Sequence, residues 1–166
     1  SCGDIRGAAS VYLSDGDWDM AAMCLRDGGM PVKAADAFML GGRLKSALKL
    51  LLDADEGERA MELAEQSGDS ALHAAVLRRL GRSELSARVL ATAAHQRGDY
   101  EDAATRWESI GTWAKAADAW LDAGRTAKAA QCFVLCNKPH RAYEAFRKAG
   151  QLDGAAKVAT SLGRHM

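Results

Sequence analysis

The fold is decided by the stretch at residues 111–136, which reads GTWAKAADAWLDA followed by GRTAKAAQCFVLC. Each half has thirteen residues, opens with glycine and carries an Ala-Ala pair at its sixth and seventh positions. A fixed internal period marks a repeat architecture, in which one small structural element is stacked many times. The stretch therefore predicts a repeat protein, and the rest of the chain should carry the same thirteen-residue repeat.

The repeat extends along nearly the whole chain. Its first position holds glycine or one of the turn-forming residues Asp and Asn, and one longer repeat of seventeen residues spans 81–97. A residue of this kind at the end of a helix supplies the left-handed conformation that terminates it. The opening residues are Gly3, Gly16, Gly29, Gly42, Asp55, Gly68, Gly81, Gly98, Gly111, Gly124, Asn137, Gly150 and Gly163.

The other positions of the repeat show a helical pattern. Positions three, six, seven, nine, ten and thirteen are mostly apolar, whereas positions two, five, eight and twelve are mostly polar. Position six is small in most repeats, and position ten is often large, as at Trp120 and Phe133. Each repeat therefore predicts one α-helix of roughly ten residues, and two consecutive repeats predict a helical hairpin of 26 residues.

Composition is typical of an all-α protein without a membrane span. Of 166 residues, 48% are hydrophobic and 27% charged, and no apolar stretch approaches the ~20 residues that cross a bilayer. The net charge is zero, but residues 1–67 carry −5 and residues 68–166 carry +5. Of the four cysteines, Cys2, Cys24, Cys132 and Cys136, two occupy the apolar ninth position, which favours reduced thiols and a cytoplasmic protein.

The domain prediction is a single solenoid over residues 1–166. We expect it to be a segment of a longer protein, because neither end offers the polar capping helix that solenoids require. Repeats at 16, 29 and 42 resemble those at 98, 111 and 124. A duplication of three hairpins, 3–80 and 81–162, would explain this likeness, and so would selection on a shared consensus.

Residues 103–133, AATRWESIGTWAKAADAWLDAGRTAKAAQCF, resemble a tetratricopeptide-like α-solenoid. The period departs from that family, whose repeat is about 34 residues. The shorter hairpin is similar to those of vesicle-coat and intraflagellar-transport proteins. The resemblance implies a right-handed α-solenoid of about twelve short antiparallel helices that acts as a scaffold or adaptor, and it implies no catalytic residue.

Candidate sites are few. The densest basic group is Arg78, Arg79, Arg82 and Arg88, next to the longer repeat, and it is our candidate for partner binding. Cys132, Cys136 and His140 are spaced four residues apart, but a structural zinc site needs four ligands, so we interpret them as two core thiols and a surface histidine. No phosphate-binding loop or nucleophile motif occurs. We therefore predict no enzyme activity, no cofactor and no metal.

Three functions remain open. The first is a protein-interaction scaffold that binds a protein or peptide partner along one surface. The second is an assembly segment of a coat-like or transport complex, in which helix faces dock onto other copies. The third, and least favoured, is nucleic-acid binding through the basic C-terminal half, because the aromatic residues occupy core positions and offer no stacking surface.

Overall fold

The computed structural model describes residues 2–163, with side chains described from residue 5 to residue 161. Within that range the chain is helical with no β-strand, which confirms the all-α prediction. The Cys2 side chain and residues 164–166 lie outside the described residues. The helices are α1 (Cys2–Asp15), α2 (Trp18–Asp27), α3 (Pro31–Leu40), α4 (Leu44–Asp53), α5 (Gly57–Gln66), α6 (Ser70–Arg79), α7 (Ser83–Gln96), α8 (Tyr100–Ser109), α9 (Trp113–Asp122), α10 (Thr126–Leu135), α11 (Pro139–Lys148) and α12 (Leu152–Gly163).

The helices form two compact units that meet in sequence between Gly81 and Arg82. Unit 1 contains α1–α6, and unit 2 contains α7–α12. Within each unit successive helices pack against one another, as expected of a helical-repeat solenoid. The handedness of the solenoid and the duplication of three hairpins stay predictions.

Most connections between helices have three residues and follow one hydrogen-bonding scheme, shown here between α9 and α10. Gly124, at φ +72°, donates its N–H to the carbonyl of Leu121 at 2.9 Å. The N–H of Arg125 bonds the carbonyl of Trp120 at 2.8 Å, which completes a Schellman cap on α9. The carbonyl of Arg125 then accepts the N–H of Ala129 at 3.1 Å and opens α10. One residue thus closes one helix and begins the next.

The first position of the repeat is left-handed from Gly16 to Gly150, which confirms the predicted register over that range. The prediction is wrong at the two ends, where Gly3 lies within α1 and Gly163 belongs to α12. Asp55 and Asn137, the two substitutes for glycine, have φ values of +60° and +54°. The glycines with positive φ are Gly16, Gly29, Gly42, Gly68, Gly81, Gly98, Gly111, Gly124 and Gly150. The seventeen-residue repeat keeps the same connections and lengthens α7 to 14 residues.

Small residues bring neighbouring helices close together. The alanine pairs at positions six and seven are fully buried in α2, α3, α8, α9 and α10. A similar contact joins position three of one repeat to position thirteen of the next. At Gly41, for example, an added Cβ would come within 2.8 Å of the Trp18 Cβ. Large buried side chains, led by Trp120 and Phe133, fill the remaining core of unit 2.

Replacing Gly124 tests the left-handed connection. We expect Gly124→Val to destabilise the protein by about 1–2 kcal/mol or more, because a side chain in this conformation meets its own backbone and a β-branched one is worst. Gly124→Asn should cost clearly less, since Asn137 occupies the equivalent position at φ +54°. Urea unfolding of both variants measures the difference, and equal losses would contradict the turn assignment.

Truncating Trp120 tests the core assignment. Its side chain is only 1% exposed, so Trp120→Ala should lower the free energy of unfolding by about 3–5 kcal/mol. The partly buried Trp18 is a matched control, because its truncation removes the same group from a less enclosed position. A loss under about 1 kcal/mol at Trp120 would show that position ten is not the core position.

Candidate interaction face

The four arginines singled out by the sequence are exposed and belong to different units. Arg78 and Arg79 lie in the last turn of α6 in unit 1, where Arg79 Nη2 is 2.6 Å from Asp53 Oδ1. Arg82 caps α7 and Arg88 lies within that helix, both in unit 2. Arg79 is therefore already engaged in an ion pair, and a partner-binding role for the four arginines stays a prediction.

Unit 2 carries three contacts between a cation and an aromatic ring, which we call the ring ladder. In each contact a Lys or Arg at position five lies over the ring at position ten of the preceding repeat, eight residues earlier. Such contacts are attractive within about 6 Å of the ring centroid. The pairs are Lys115 over Trp107 at 4.6 Å, Lys128 over Trp120 at 4.0 Å and Arg141 over Phe133 at 4.2 Å.

Arg141 shows what the ladder does to the surface of unit 2. Its guanidinium covers the Phe133 ring and also donates from Nη2 to Asp118 Oδ1 at 2.9 Å, which links α11 to α9. The ring lies below, almost fully buried, and the cation lies above it. At this point the ladder fills the space between helices with groups of the chain itself.

Unit 1 repeats the spacing at two of the three places with leucine instead of a ring. At the remaining place Phe38 stands in place of Trp120, and Ser46 stands in place of Lys128. Leu25 stands eight residues before Lys33, and Leu51 stands eight residues before Arg59. These positions correspond to Trp107–Lys115 and to Phe133–Arg141 at a constant offset of 82 residues. Leucine is smaller than either aromatic side chain. Each of the two leucine–cation pairs lines an open cleft.

The larger cleft, cleft A, lies between α1 and α3 and has a volume of about 350 Å³. Its wall is mainly apolar, with charged groups contributed by Arg6 of α1 and by α3. The residues that matter for its chemistry are Leu13, Leu25, Met30, Lys33, Asp36 and Leu40. This mixture, apolar surface with a few placed polar groups, is typical of binding sites.

The smaller cleft, cleft B, lies between α3 and α5 and has a volume of about 180 Å³. Its defining residues are Asp36, Leu51, Arg59, Glu62 and Leu63. Because Asp36 lines both clefts, they are adjacent on the surface formed by α1, α3 and α5. We call this surface the cleft face.

Exposed apolar side chains mark the end of α3 beside the clefts. Leu40 is 65% exposed and Met39 is 43% exposed. Position twelve, which Leu40 occupies, is polar in most other repeats. A leucine that solvent reaches this freely does little for the core, and its place at the rim of cleft A makes it available to a partner.

A second group of contacts in unit 2 centres on the carboxylate of Glu108 and joins α8, α9 and α10. The indole N–H of Trp120 donates to Glu108 Oε1 at 2.7 Å, and the Cys132 thiol donates to the same oxygen at 3.2 Å. Trp120 and Cys132 are almost fully buried, whereas Glu108 is half-buried. The carboxylate thus accepts from two buried donors, which suits a structural role in holding three helices together.

The thiol of Cys132 is expected to be unreactive, because its pKa is raised. Burial raises its pKa from 9.0 to about 12, helped by the hydrogen bond to Glu108 and by the negative charge of that carboxylate. The reactive form of cysteine is the thiolate, so Cys132 stays protonated and unreactive near neutral pH. It is a packing residue, as its place in the repeat predicts.

Alkylation of the native protein tests this assignment. With iodoacetamide near pH 8, Cys132 should react much more slowly than Cys24 and Cys136, which are partly exposed. Mass spectrometry of the digested protein gives the rate at each cysteine. Labelling of Cys132 at the rate of Cys136 would contradict a buried, hydrogen-bonded thiol.

The same raised pKa predicts a pH effect on stability. The unfolded chain releases the thiol proton above about pH 9, whereas the native thiol retains it up to about pH 12. The stability contributed by Cys132 is therefore complete below pH 9 and declines as the pH rises above it. The difference in unfolding free energy between the wild type and Cys132→Ala should narrow over that range, and a constant difference would contradict the raised pKa.

Cys132, Cys136 and His140 are placed in three different environments. Cys132 bonds Glu108, the partly buried Cys136 thiol lies 3.6 Å from the carbonyl oxygen of Phe133, and His140 is exposed. Among the side chains that the structure describes, no group of three or more His, Cys, Asp and Glu residues could hold a metal ion.

No protein-family model and no curated protein matches this chain. Between residues 2 and 163, no helix is long and apolar enough to cross a membrane. The all-helical repeat itself is therefore the basis for any functional interpretation, together with the surfaces that it presents.

The ring ladder has a signal in the sequence, which is a cation eight residues after an aromatic residue at position ten. The clefts have no comparable signal, because residues of several helices line each of them. The Glu108 contacts gave no such signal, because position eleven varies among charged and apolar residues along the chain.

Proposed function

We propose that this chain is a protein-interaction scaffold whose cleft face, formed by α1, α3 and α5 of unit 1, holds a peptide segment of a partner protein. The observation that carries the proposal is the pair of adjacent clefts A and B, which share Asp36. Repeat solenoids use extended surfaces of this kind to bind partners. A segment laid across α1, α3 and α5 would reach both clefts at once.

The composition of the cleft face favours a peptide over a nucleic acid. The charged residues that line the clefts include both signs, with Lys33 and Arg59 beside Asp36 and Glu62. Nucleic-acid surfaces are strongly positive, because they follow the phosphate backbone. The mostly apolar cleft A beside the more polar cleft B suits an amphipathic segment instead.

The proposal includes the likeness to tetratricopeptide-like solenoids with a shortened, 26-residue hairpin. The buried alanine pairs and the repeated helix connections support it, because they produce a regular stack of helix pairs. It also includes a non-catalytic role and a cytoplasmic location. Free Cys24, Cys132 and Cys136 support the location, since reduced thiols are usual in that compartment.

A second candidate is an assembly segment, and one observation favours it. Val134 and Leu135, at the end of α10 in unit 2, are 49% and 59% exposed and line neither cleft. Two adjacent exposed apolar side chains can serve as a contact with another copy of the chain. Concentration-dependent association of the purified chain that Leu135→Asp abolishes would support this role.

The test of the cleft face uses a matched pair of variants. Peptides are selected from a random twelve-residue display library against the whole chain, and their dissociation constants are measured for the wild type, Leu40→Asp and Leu135→Asp. Both leucines occupy position twelve and both are exposed, so neither variant should change the free energy of unfolding by more than about 0.5 kcal/mol.

We expect Leu40→Asp to weaken binding by at least about tenfold, because it places a charge at the rim of cleft A. Leu135→Asp should bind the same peptides within about twofold of the wild type. Peptides that bind Leu40→Asp as tightly as the wild type would place the binding surface elsewhere. A library that yields no specific peptide would also contradict the proposal.

A further inference from the structure

We propose that clefts A and B each accept an aromatic side chain of the partner, and that Lys33 and Arg59 lie over the bound rings. This inference rests on the proposed function of the cleft face and names the chemistry that the face recognises. It follows from the ring ladder, in which unit 2 fills the corresponding positions with its own aromatic side chains.

Cleft A corresponds to the first contact of the ladder. Lys33 matches Lys115, and Leu25 matches Trp107, each 82 residues earlier in the chain. In unit 2 the ammonium group of Lys115 lies 4.6 Å from the centre of the Trp107 ring. In unit 1 Lys33 and Leu25 line the same cleft, and no ring stands between them. Its volume of about 350 Å³ falls within the roughly 300–1,000 Å³ of ligand pockets.

Cleft B corresponds to the third contact. Arg59 matches Arg141 and Asp36 matches Asp118, while Leu51 stands in place of Phe133. Unit 2 joins all three groups: Arg141 covers the ring and bonds Asp118 at 2.9 Å. Unit 1 brings Arg59, Asp36 and Leu51 to the wall of one cleft of about 180 Å³. The smaller volume and the phenylalanine in the equivalent position favour a phenyl ring here.

The two cations are free to engage a ligand. Between residues 5 and 161, neither Lys33 nor Arg59 forms an ion pair or a ring contact with the rest of the chain. A cation over an aromatic face is attractive even at an exposed site, and Arg and Lys are both effective. The aliphatic part of each side chain can cover the ring edge at the same time.

The rings must come from another kind of molecule. All ten aromatic residues of the chain lie within the described range, and each is buried or half-buried. A second folded copy of the chain therefore has no exposed ring to place in the clefts. A peptide segment with aromatic side chains does, and its backbone can run along the surface between them.

The test titrates the whole chain with two small probes, N-acetyl-L-tryptophanamide and N-acetyl-L-leucinamide. They present the same backbone groups and differ only in the side chain. Methyl NMR of labelled Leu and Met residues follows Leu13, Leu25 and Met30 in cleft A and Leu51 and Leu63 in cleft B. Three variants accompany the wild type: Lys33→Met, Leu25→Trp and the control Lys49→Met, which removes an exposed lysine of α4 from outside both clefts.

We expect the tryptophan probe to shift the cleft A methyl signals and to saturate at several-fold lower concentration than the leucine probe. Lys33→Met keeps the aliphatic stem and removes the charge, so it should weaken the binding of the tryptophan probe by roughly two- to fivefold. Lys49→Met should leave the titration unchanged. Leu25→Trp should abolish binding in cleft A, because the chain then fills the cleft itself.

Two results would overturn the inference: equal affinity for the two probes, or a titration that Lys33→Met leaves unchanged. Absence of binding by both probes at millimolar concentration would overturn it as well. Lys33→Met keeps the test decisive if Leu25→Trp fails to fold. The proposed function is tested separately, because library peptides that depend on Leu40 but carry no aromatic residue would support the cleft face and contradict the aromatic preference.

Discussion

The structure depends on one recurring connection, in which a left-handed residue ends each helix and the residue after it begins the next. Between α9 and α10 the N–H of Arg125 caps the carbonyl of Trp120, and its carbonyl accepts the N–H of Ala129. A ten-residue helix and a three-residue connection together fix the period at thirteen. Because the same hydrogen bonds recur at most junctions, equivalent positions in successive repeats meet in a similar way within a unit.

Because the backbone is regular, the repeats differ in the side chains that they place at their surface. This difference is seen at the contact between position ten of one repeat and position five of the next. Trp107 and Phe133 fill the space between helices, and Lys115 and Arg141 cover them, so unit 2 supplies both partners of each contact. At these two places unit 1 keeps the cations, as Lys33 and Arg59, and has leucine in place of the rings. The backbone contacts through the alanine pairs are unaffected by this substitution, since those pairs lie at positions six and seven.

The fold could be predicted from the sequence because its determinants are local. The left-handed residues, including Asp55 and Asn137, recur in the sequence with a period of thirteen residues, and the buried alanines follow the same period. The candidate surface could not be predicted in the same way. A cleft depends on the volume of one side chain, such as Leu25, relative to neighbours on two other helices. Cys24 shows the same limit, because its position predicts a core thiol but the side chain is only half-buried.

The contacts of Glu108, which occupies position eleven of its repeat, show the same difference between the two units. In unit 2 this carboxylate accepts hydrogen bonds from the buried side chains of Trp120 and Cys132 and thereby links three helices. The equivalent residue of unit 1, 82 residues earlier, is Arg26, which bonds only its exposed neighbour Asp27. Unit 2 therefore directs its aromatic and polar side chains inward at these positions. In unit 1 the equivalents of Trp107 and Phe133 are Leu25 and Leu51, which are also buried but smaller. Each of these leucines lines a cleft, and this difference in side-chain volume is the physical basis of the proposed cleft face.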